Sequence, residues 1–453
     1  MIGARQLAEQ TPAQRERVVD FLRALAITAV VVGHWLVSVV EYDSDGELTG
    51  RSALPELPWA YPLTWLVQVL PLFFLVGGYA NAASLAGRWA RGGDTVGWLV
   101  ERGRRLVRPT TALLVVLAAG AGIARLGGAP PEMVRTAVWS ASIPLWFLAV
   151  YLVVVLVAPV TYRLHRRFGW AVPAVAVGLV AVGDLARFGY APQVLGWANT
   201  LIGWLAIHQV GYAWRDGRLP RRRAVAVGLF IGGLGAAVLA TTVGPYPVSM
   251  VDVPGERVHN MSPPTLALLA LAAAQIGLVL LVHQPLDRWL RRSRRAWQAV
   301  VATNAVIMTV FLWHVTAAVI VAGVLGLLGW LPTPPVGSAA WFAWRIPWLL
   351  LVSVALVGLV AVFGRVEQRG RQRPHWPRSL PQRWTTSMTR GLPRVALTVV
   401  GFALAVVGLV GDTSAGQEAP EPLGMPAFAL TAYLLGAALL AVLHAGDGGQ
   451  RVA

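Results

Sequence analysis

Apolar stretches long enough to cross a lipid bilayer recur along the whole chain, and they constrain its fold more than any other feature. A transmembrane helix needs about 20 predominantly apolar residues. Hydrophobic residues make up 56% of the 453 positions and charged residues 13%, whereas soluble domains contain about 25% charged residues. The sequence therefore predicts an all-α polytopic membrane protein of about twelve transmembrane helices. The predicted spans are 21–40, 63–83, 110–126, 144–162, 171–186, 195–213, 224–243, 264–283, 300–328, 345–364, 395–411 and 426–444.

The arginines predict the orientation of these spans. All 38 basic residues are Arg, and the formal net charge is +17. When the connecting segments are numbered alternately inside and outside, starting inside, 32 of the 38 arginines fall on the inside. This asymmetry follows the positive-inside rule and predicts a cell-membrane protein with cytoplasmic N and C termini. The arginine clusters are expected to contact inner-leaflet membrane lipids, and nucleic acid is not an expected partner.

The absence of cysteine excludes several kinds of chemistry. The chain has no Cys, so disulfides, thiolate nucleophiles, acyl-cysteine intermediates and zinc–thiolate sites cannot form. No metal site and no permanently bound cofactor are predicted. The longest segment between spans, about 365–394, is rich in Arg and Pro and too short for a soluble domain. The last two spans follow this segment and are interpreted as an addition to a ten-helix core.

His34 is the most informative polar residue within a predicted span. An ionisable side chain inside a membrane helix is costly and indicates function by default. His34 follows Arg23 by eleven residues, and eleven steps of about 100° return both side chains to nearly one helix face, about 16 Å apart along the axis. A neutral His at this depth is suited to removing a proton from a hydroxyl group. The alternative is a His that hydrogen-bonds a neighbouring helix and only stabilises packing.

Five short segments follow one another along the chain: Arg17–Asp20–Arg23 through Gly33–His34, Pro71 to Tyr79, Arg105-Leu-Val-Arg108-Pro109, Leu145-Trp146-Phe147-Leu148, and Phe311-Leu-Trp-His314. In this order they resemble the acyltransferase 3 family of integral-membrane O-acyltransferases. The resemblance covers residues 15–365, which predicts an acyltransferase-like ten-helix core, a cytoplasmic loop at 366–394, and two extra helices with a C-terminal tail at 395–453. Gly77 stands where the family usually has Ser, and Tyr79 where it has Phe.

The resemblance implies transfer of an acyl group, commonly acetyl from acetyl-coenzyme A, to a hydroxyl group of a sugar, envelope glycan, glycolipid or macrolide-type natural product. In this reading His34 and Arg23 are catalytic, and Asp20 orients Arg23. Arg105 and Arg108 bind the phosphates of the acyl-coenzyme A donor, since guanidinium groups suit phosphate recognition. The substrate pocket is expected to include Trp146, Phe147, Tyr79, His314 and Asp20.

Two alternatives remain at the level of sequence. The unrelated membrane-bound O-acyltransferase class also uses a membrane His, which would make His314 the centre. A transporter or flippase for a polar or glycolipid substrate would use the same buried polar residues as a substrate path. Transporters often contain a matching pair of interrupted helices in their two halves. The sequence shows no such pair. The chain also has no Gly-x-Ser-x-Gly motif of a serine hydrolase.

Overall fold

The computed structural model describes residues 4–12, 14–42, 44, 46–190, 193–220, 222–369, 391–416 and 421–449. Within these residues the chain is helical almost throughout, which confirms the predicted all-α fold. The described residues also form one hairpin of two strands, β1 (Ser38–Tyr42) and β2 (Leu48–Ser52), and non-helical loops connect several of the helices. The α-helices are α1 (Ala4–Glu9), α2 (Arg17–Val37), α3 (Thr64–Val67), α4 (Leu70–Ala90), α5 (Thr95–Leu126), α6 (Pro131–Ser142), α7 (Leu145–Phe168), α8 (Ala171–Leu185), α9 (Gln193–Arg215), α10 (Arg223–Thr242), α11 (Leu266–Arg292), α12 (Arg294–Ala305), α13 (Ile307–Leu327), α14 (Ala339–Arg369), α15 (Gly391–Ser414) and α16 (Ala427–Gly449).

The helices reproduce the predicted spans. Eleven candidate spans among the described residues are long and apolar enough to cross a membrane. Each overlaps a predicted span, and the remaining prediction, 195–213, falls on α9, which is not among those eleven. The protein is therefore a multi-pass membrane protein. Residues 370–390 of the predicted cytoplasmic loop lie outside the described residues, and the predicted domain boundaries stay a prediction.

The third span begins much earlier than predicted. We expected it at 110–126, but α5 starts at Thr95, where the Asp94 side chain accepts a hydrogen bond from the backbone N–H of Gly97 at 3.2 Å. Arg105 and Arg108 consequently lie within the helix and not in the segment before it. Hydropathy misses these turns because arginine lowers the average, although its long side chain lets the charge reach the membrane surface.

The ninth predicted span, 300–328, is two helices. The chain leaves helical geometry at Val306, between α12 and α13. The first free N–H groups of α13, those of Met308 and Thr309, donate to the buried Glu367 carboxylate at 3.3 and 2.9 Å. A carboxylate at a helix N-terminus satisfies these donors and interacts favourably with the helix dipole. Glu367 is 58 residues from Thr309, so the sequence near the break does not reveal this cap.

The chain forms two compact units. Unit 1 comprises Met1–Gly33, Ser52–Ala86 and Ala158–Ile307. Its helices pack closely where glycines face one another. A Cβ atom on Gly78 of α4 would collide with the backbone carbonyl of His208 in α9, and one on Gly211 would collide with that of Leu75. Small residues at such a crossing allow the two helix backbones to approach.

Unit 2 comprises His34–Arg51, Gly87–Val157 and Met308–Ala453. Here α15 and α16 pack on each other and on α5. The fully buried Arg135 of α6 donates to the carbonyls of Gly424 at 2.7 Å and Gly416 at 3.0 Å, and its Nη1 lies 3.4 Å from Asp412 Oδ1 of α15. Within unit 2 these bonds link α6 to Asp412 of α15 and to Gly416 and Gly424, which lie between α15 and α16 in the sequence.

Candidate active site

The predicted helix that carries both Arg23 and His34 is present. It is the uninterrupted helix α2, with Arg23 in its second turn and His34 in its last. Its first part belongs to unit 1 and its end, from His34 onward, to unit 2.

In unit 2, two histidines lie within hydrogen-bond distance. His34 Nδ1 is 2.8 Å from His314 Nε2, and the rings are nearly parallel, with an interplanar angle of 8° and centroids 5.1 Å apart. His314 lies in α13 and is fully buried, whereas His34 is half-buried. From the sequence, His34 and His314 were separate candidates for the site. The structure shows that the two side chains contact each other.

The hydrogen bonds assign the tautomers of this pair. His314 Nδ1 lies 2.6 Å from the carbonyl oxygen of Phe311, which can only accept, so this nitrogen carries the proton. In a neutral His314, Nε2 is then an acceptor, and His34 Nδ1–H donates to it. The lone pair of His34 consequently lies on Nε2. No described residue hydrogen-bonds to that atom, so it is available to accept a proton from a substrate.

Two tryptophans hold the helices that carry the histidine pair. The indole N–H of Trp35, next to His34, donates to the backbone carbonyl of His314 at 2.8 Å. The indole N–H of Trp348 in α14 donates to the carbonyl of Trp35 at 3.0 Å. Both side chains are buried, where such bonds both satisfy polar groups and fix helix positions. The sequence alone does not identify these residues, because each indole N–H bonds an acceptor 279 or 313 positions away.

Aromatic side chains line one side of the pair. The Phe311 ring is 6.2 Å from His314 and makes an edge contact with Phe147 at 5.4 Å. Phe147 is buried and stacks on Tyr151 at 5.9 Å, while Trp146 touches the outer edge of Phe147 at 6.2 Å. Of the two predicted pocket residues on α7, Phe147 therefore connects to the histidine pair through Phe311, and Trp146 is one ring further away. This apolar wall would exclude water from a reacting group.

Arg105 and Arg108 lie on the same side of α5, three residues apart. The half-exposed Arg105 forms an ion pair with Glu101, one turn earlier. Arg108 is half-buried, and no described residue forms a hydrogen bond or ion pair with it. A cation without a counter-ion at this position is suited to an anionic ligand.

In unit 1, Asp20 binds two arginines. Its buried carboxylate accepts from Arg15 at 2.6 and 3.0 Å, and Arg23 Nη1 lies 3.6 Å away. The hydrogen bond to Asp20 is the main cause that raises the pKa of Arg15. Asp20 does contact Arg23, as expected, but Arg15 is its closer partner. The helical spacing that indicated Arg23 does not indicate Arg15, because Arg15 precedes the helix.

Tyr79, the remaining predicted pocket residue, also belongs to unit 1. Its ring packs edge-on against Trp214 at 5.6 Å, and Trp214 packs against His283 at 5.9 Å. Within unit 1 it is therefore part of an aromatic cluster between α4, α9 and α11. Among the described residues, no group of three or more acidic or histidine side chains is arranged to hold a metal ion.

The chain matches a known protein family over most of its length. A family model described as an acyltransferase domain, that of acyltransferase 3, covers residues 17–364. The chain belongs to the acyltransferase 3 family. This membership makes the protein a membrane acyltransferase, and the matched range includes every predicted site residue. In this acyltransferase, α15 and α16 lie beyond the matched range. No curated protein and no solved structure matched the chain.

Proposed function

We propose that this acyltransferase moves an acyl group, commonly acetyl, from acyl-coenzyme A to a hydroxyl group of a glycan, glycolipid or macrolide-type natural product. The observation that carries the proposal is the His34–His314 hydrogen bond. It leaves the Nε2 lone pair of His34 open on a half-buried ring. A histidine held in this tautomer by a second group is the arrangement expected of a general base.

The chemistry follows from that lone pair. The acceptor hydroxyl gives its proton to His34 Nε2 as its oxygen attacks the thioester carbonyl. The tetrahedral intermediate collapses, the C–S bond breaks, and the leaving sulfur takes the proton from His34, which yields the ester and coenzyme A. During the step His314 accepts from His34 Nδ1–H and holds the ring in place, so His314 is a positioning residue. General-base catalysis contributes about two to four orders of magnitude in rate.

The arginines of α5 are proposed to bind the donor. Acyl-coenzyme A is a polyanion in the cytoplasm, and the positive-inside pattern assigns Arg105 and Arg108 to that side of the cell membrane. Among the described residues Arg108 has no ion pair to break, whereas Arg105 must exchange Glu101 for a phosphate. Arg23, whose guanidinium lies 3.6 Å from the Asp20 carboxylate near the start of α2, is proposed to be the second catalytic residue.

The decisive experiment measures thiol release from acetyl-coenzyme A by purified protein in detergent, alone and with candidate acceptors. Acceptor-dependent release is expected for the wild type and not for His34→Ala. The matched control is His444→Gln, a histidine beyond the family match. Release that is equal in wild type and His34→Ala would reduce His34 to a packing residue. Substrate movement across proteoliposomes without thiol release would support the transporter alternative.

A further inference from the structure

A narrow recess in unit 2 has no role in the chemistry above. It is bordered by the start of β1, by the segment Leu331–Pro334 and by the first turns of α14. Three tryptophans, Trp341, Trp344 and Trp348, contribute to its wall. Its volume of ≈ 20 Å³ admits a single small group and not a whole sugar ring.

Arg345 places a buried positive charge in this recess. Only 9% of the residue is exposed. Its Nη1 donates to the carbonyl of Ser38 at 2.7 Å, and its guanidinium lies 4.5 Å from the centre of the Trp341 ring. Within the described chain no carboxylate forms an ion pair with Arg345, since Glu41, which also borders the recess, pairs with Arg51. A buried charge without a counter-ion is costly unless something binds it.

Two donors at the recess lack acceptors. Arg345 Nε and the indole nitrogen of Trp341, which is 4% exposed, are buried and form no hydrogen bond with any described residue. Buried donors in folded proteins are nearly always satisfied. A bound water would satisfy the N–H groups but would leave the charge uncompensated. An oxygen-bearing anion satisfies both requirements.

We propose that this recess is an oxyanion site, in which Arg345 and the Trp341 indole bind a carboxylate or phosphate group of a larger molecule. The recess lies close to His34 in the chain, and this location indicates which molecule carries the anion. Ser38 follows His34 by one helical turn, and its hydroxyl donates to the His34 carbonyl at 2.6 Å. If the proposed function holds, the anion belongs to the acceptor, which is then a sugar acid or a phosphate-bearing glycan. An anionic phospholipid headgroup offers the same chemistry.

Calorimetry in detergent tests the site with sodium glucuronate and inorganic phosphate, and with glucose as the neutral comparison. The anions should bind the wild type and glucose should not. Arg345→Gln should weaken binding by about tenfold or more, because a charge-assisted bond is lost. Trp341→Phe keeps the aromatic ring, removes only the indole donor, and should weaken binding by a smaller factor. Arg125→Gln, which removes an exposed arginine of α5, is the matched control and should bind as the wild type does.

Native mass spectrometry distinguishes the source of the anion. Preferential retention of phosphatidylglycerol over phosphatidylcholine, lost in Arg345→Gln, supports a lipid headgroup; glucuronate binding without lipid retention supports the acceptor. The site is wrong if neither the free anions nor phosphatidylglycerol bind the wild type better than they bind Arg345→Gln and Trp341→Phe. Acyl transfer is measured in parallel. Acyl transfer without oxyanion binding would contradict only the proposed oxyanion site. Oxyanion binding without transfer to any acceptor would contradict only the proposed acyltransferase function.

Discussion

His34 Nδ1 lies 2.8 Å from His314 Nε2, and the two residues are separated by 280 positions in the chain. Since His314 Nδ1 is engaged with the Phe311 carbonyl at 2.6 Å, the pair forms a short chain of hydrogen bonds that ends at the open Nε2 of His34. In these hydrogen bonds His34 donates to His314, and His314 donates to the carbonyl of Phe311. The two rings therefore have different roles. His34 would exchange protons with substrate, and His314 would orient it.

Substitution of His34 should abolish catalysis and spare donor binding. His34→Ala removes the only proton acceptor of the proposed step, so kcat should fall by about two to four orders of magnitude. Thiol release measures kcat, and calorimetry with acetyl-coenzyme A measures donor affinity. Normal turnover by His34→Ala would contradict the base assignment.

Substitution of His314 should have a smaller effect that depends on hydrogen bonding. His314→Gln keeps a side-chain oxygen that can accept from His34 Nδ1–H, whereas His314→Leu does not. We expect His314→Gln to retain more kcat than His314→Leu, with similar donor affinity in both. Equal losses in the two variants would mean that His314 acts only through packing.

The arginines of α5 should control donor affinity. Arg108→Gln should weaken binding of acetyl-coenzyme A by about tenfold or more, because a guanidinium–phosphate contact is a charge-assisted bond. Arg105→Gln should cost less, since Arg105 gives up its ion pair with Glu101 on binding. Calorimetry measures both, with Arg125→Gln as control. If His34→Ala loses donor binding while both arginine variants bind normally, the assignment of donor and base is wrong.

The buried Arg135–Asp412 contact should stabilise unit 2. Arg135→Met leaves the Asp412 carboxylate buried without its partner at 3.4 Å, and breaking a buried pair in this way costs about 3–5 kcal/mol. Thermal unfolding in detergent should show a lower Tm for Arg135→Met, with partial recovery in Arg135→Met/Asp412→Leu. A double variant that is less stable than the single variant would show that the lone carboxylate is not the cause.

The charge asymmetry predicts the topology. Arginine-rich segments are retained in the cytoplasm during membrane insertion, so accessibility tags should report opposite sides for the two sets of loops. Two tags on the unexpected side would contradict the twelve-span topology. Tags after residues 50, 250 and 416 should be extracytoplasmic, and tags at 94, 218 and 380 cytoplasmic.

Much of the fold follows from the sequence because the signals are local. About 20 consecutive apolar residues specify a spanning helix wherever they occur, and the match between predicted spans and observed helices reflects this. The errors arise where a polar group determines where a helix begins. Asp94 starts α5 early and Glu367 caps α13 after the break at Val306, and hydropathy averages contain neither interaction.

By itself the sequence determined the all-α membrane fold, the helix that carries Arg23 and His34, and the acyltransferase 3 membership. Only the tertiary structure decided that His314 is the partner of His34, that Phe147 reaches the pair through Phe311, and that no carboxylate among the described residues forms an ion pair with Arg345. The physical reason is that spacing along one helix fixes the direction of a side chain. Which helix faces that side chain depends on packing between apolar surfaces that are nearly alike in sequence.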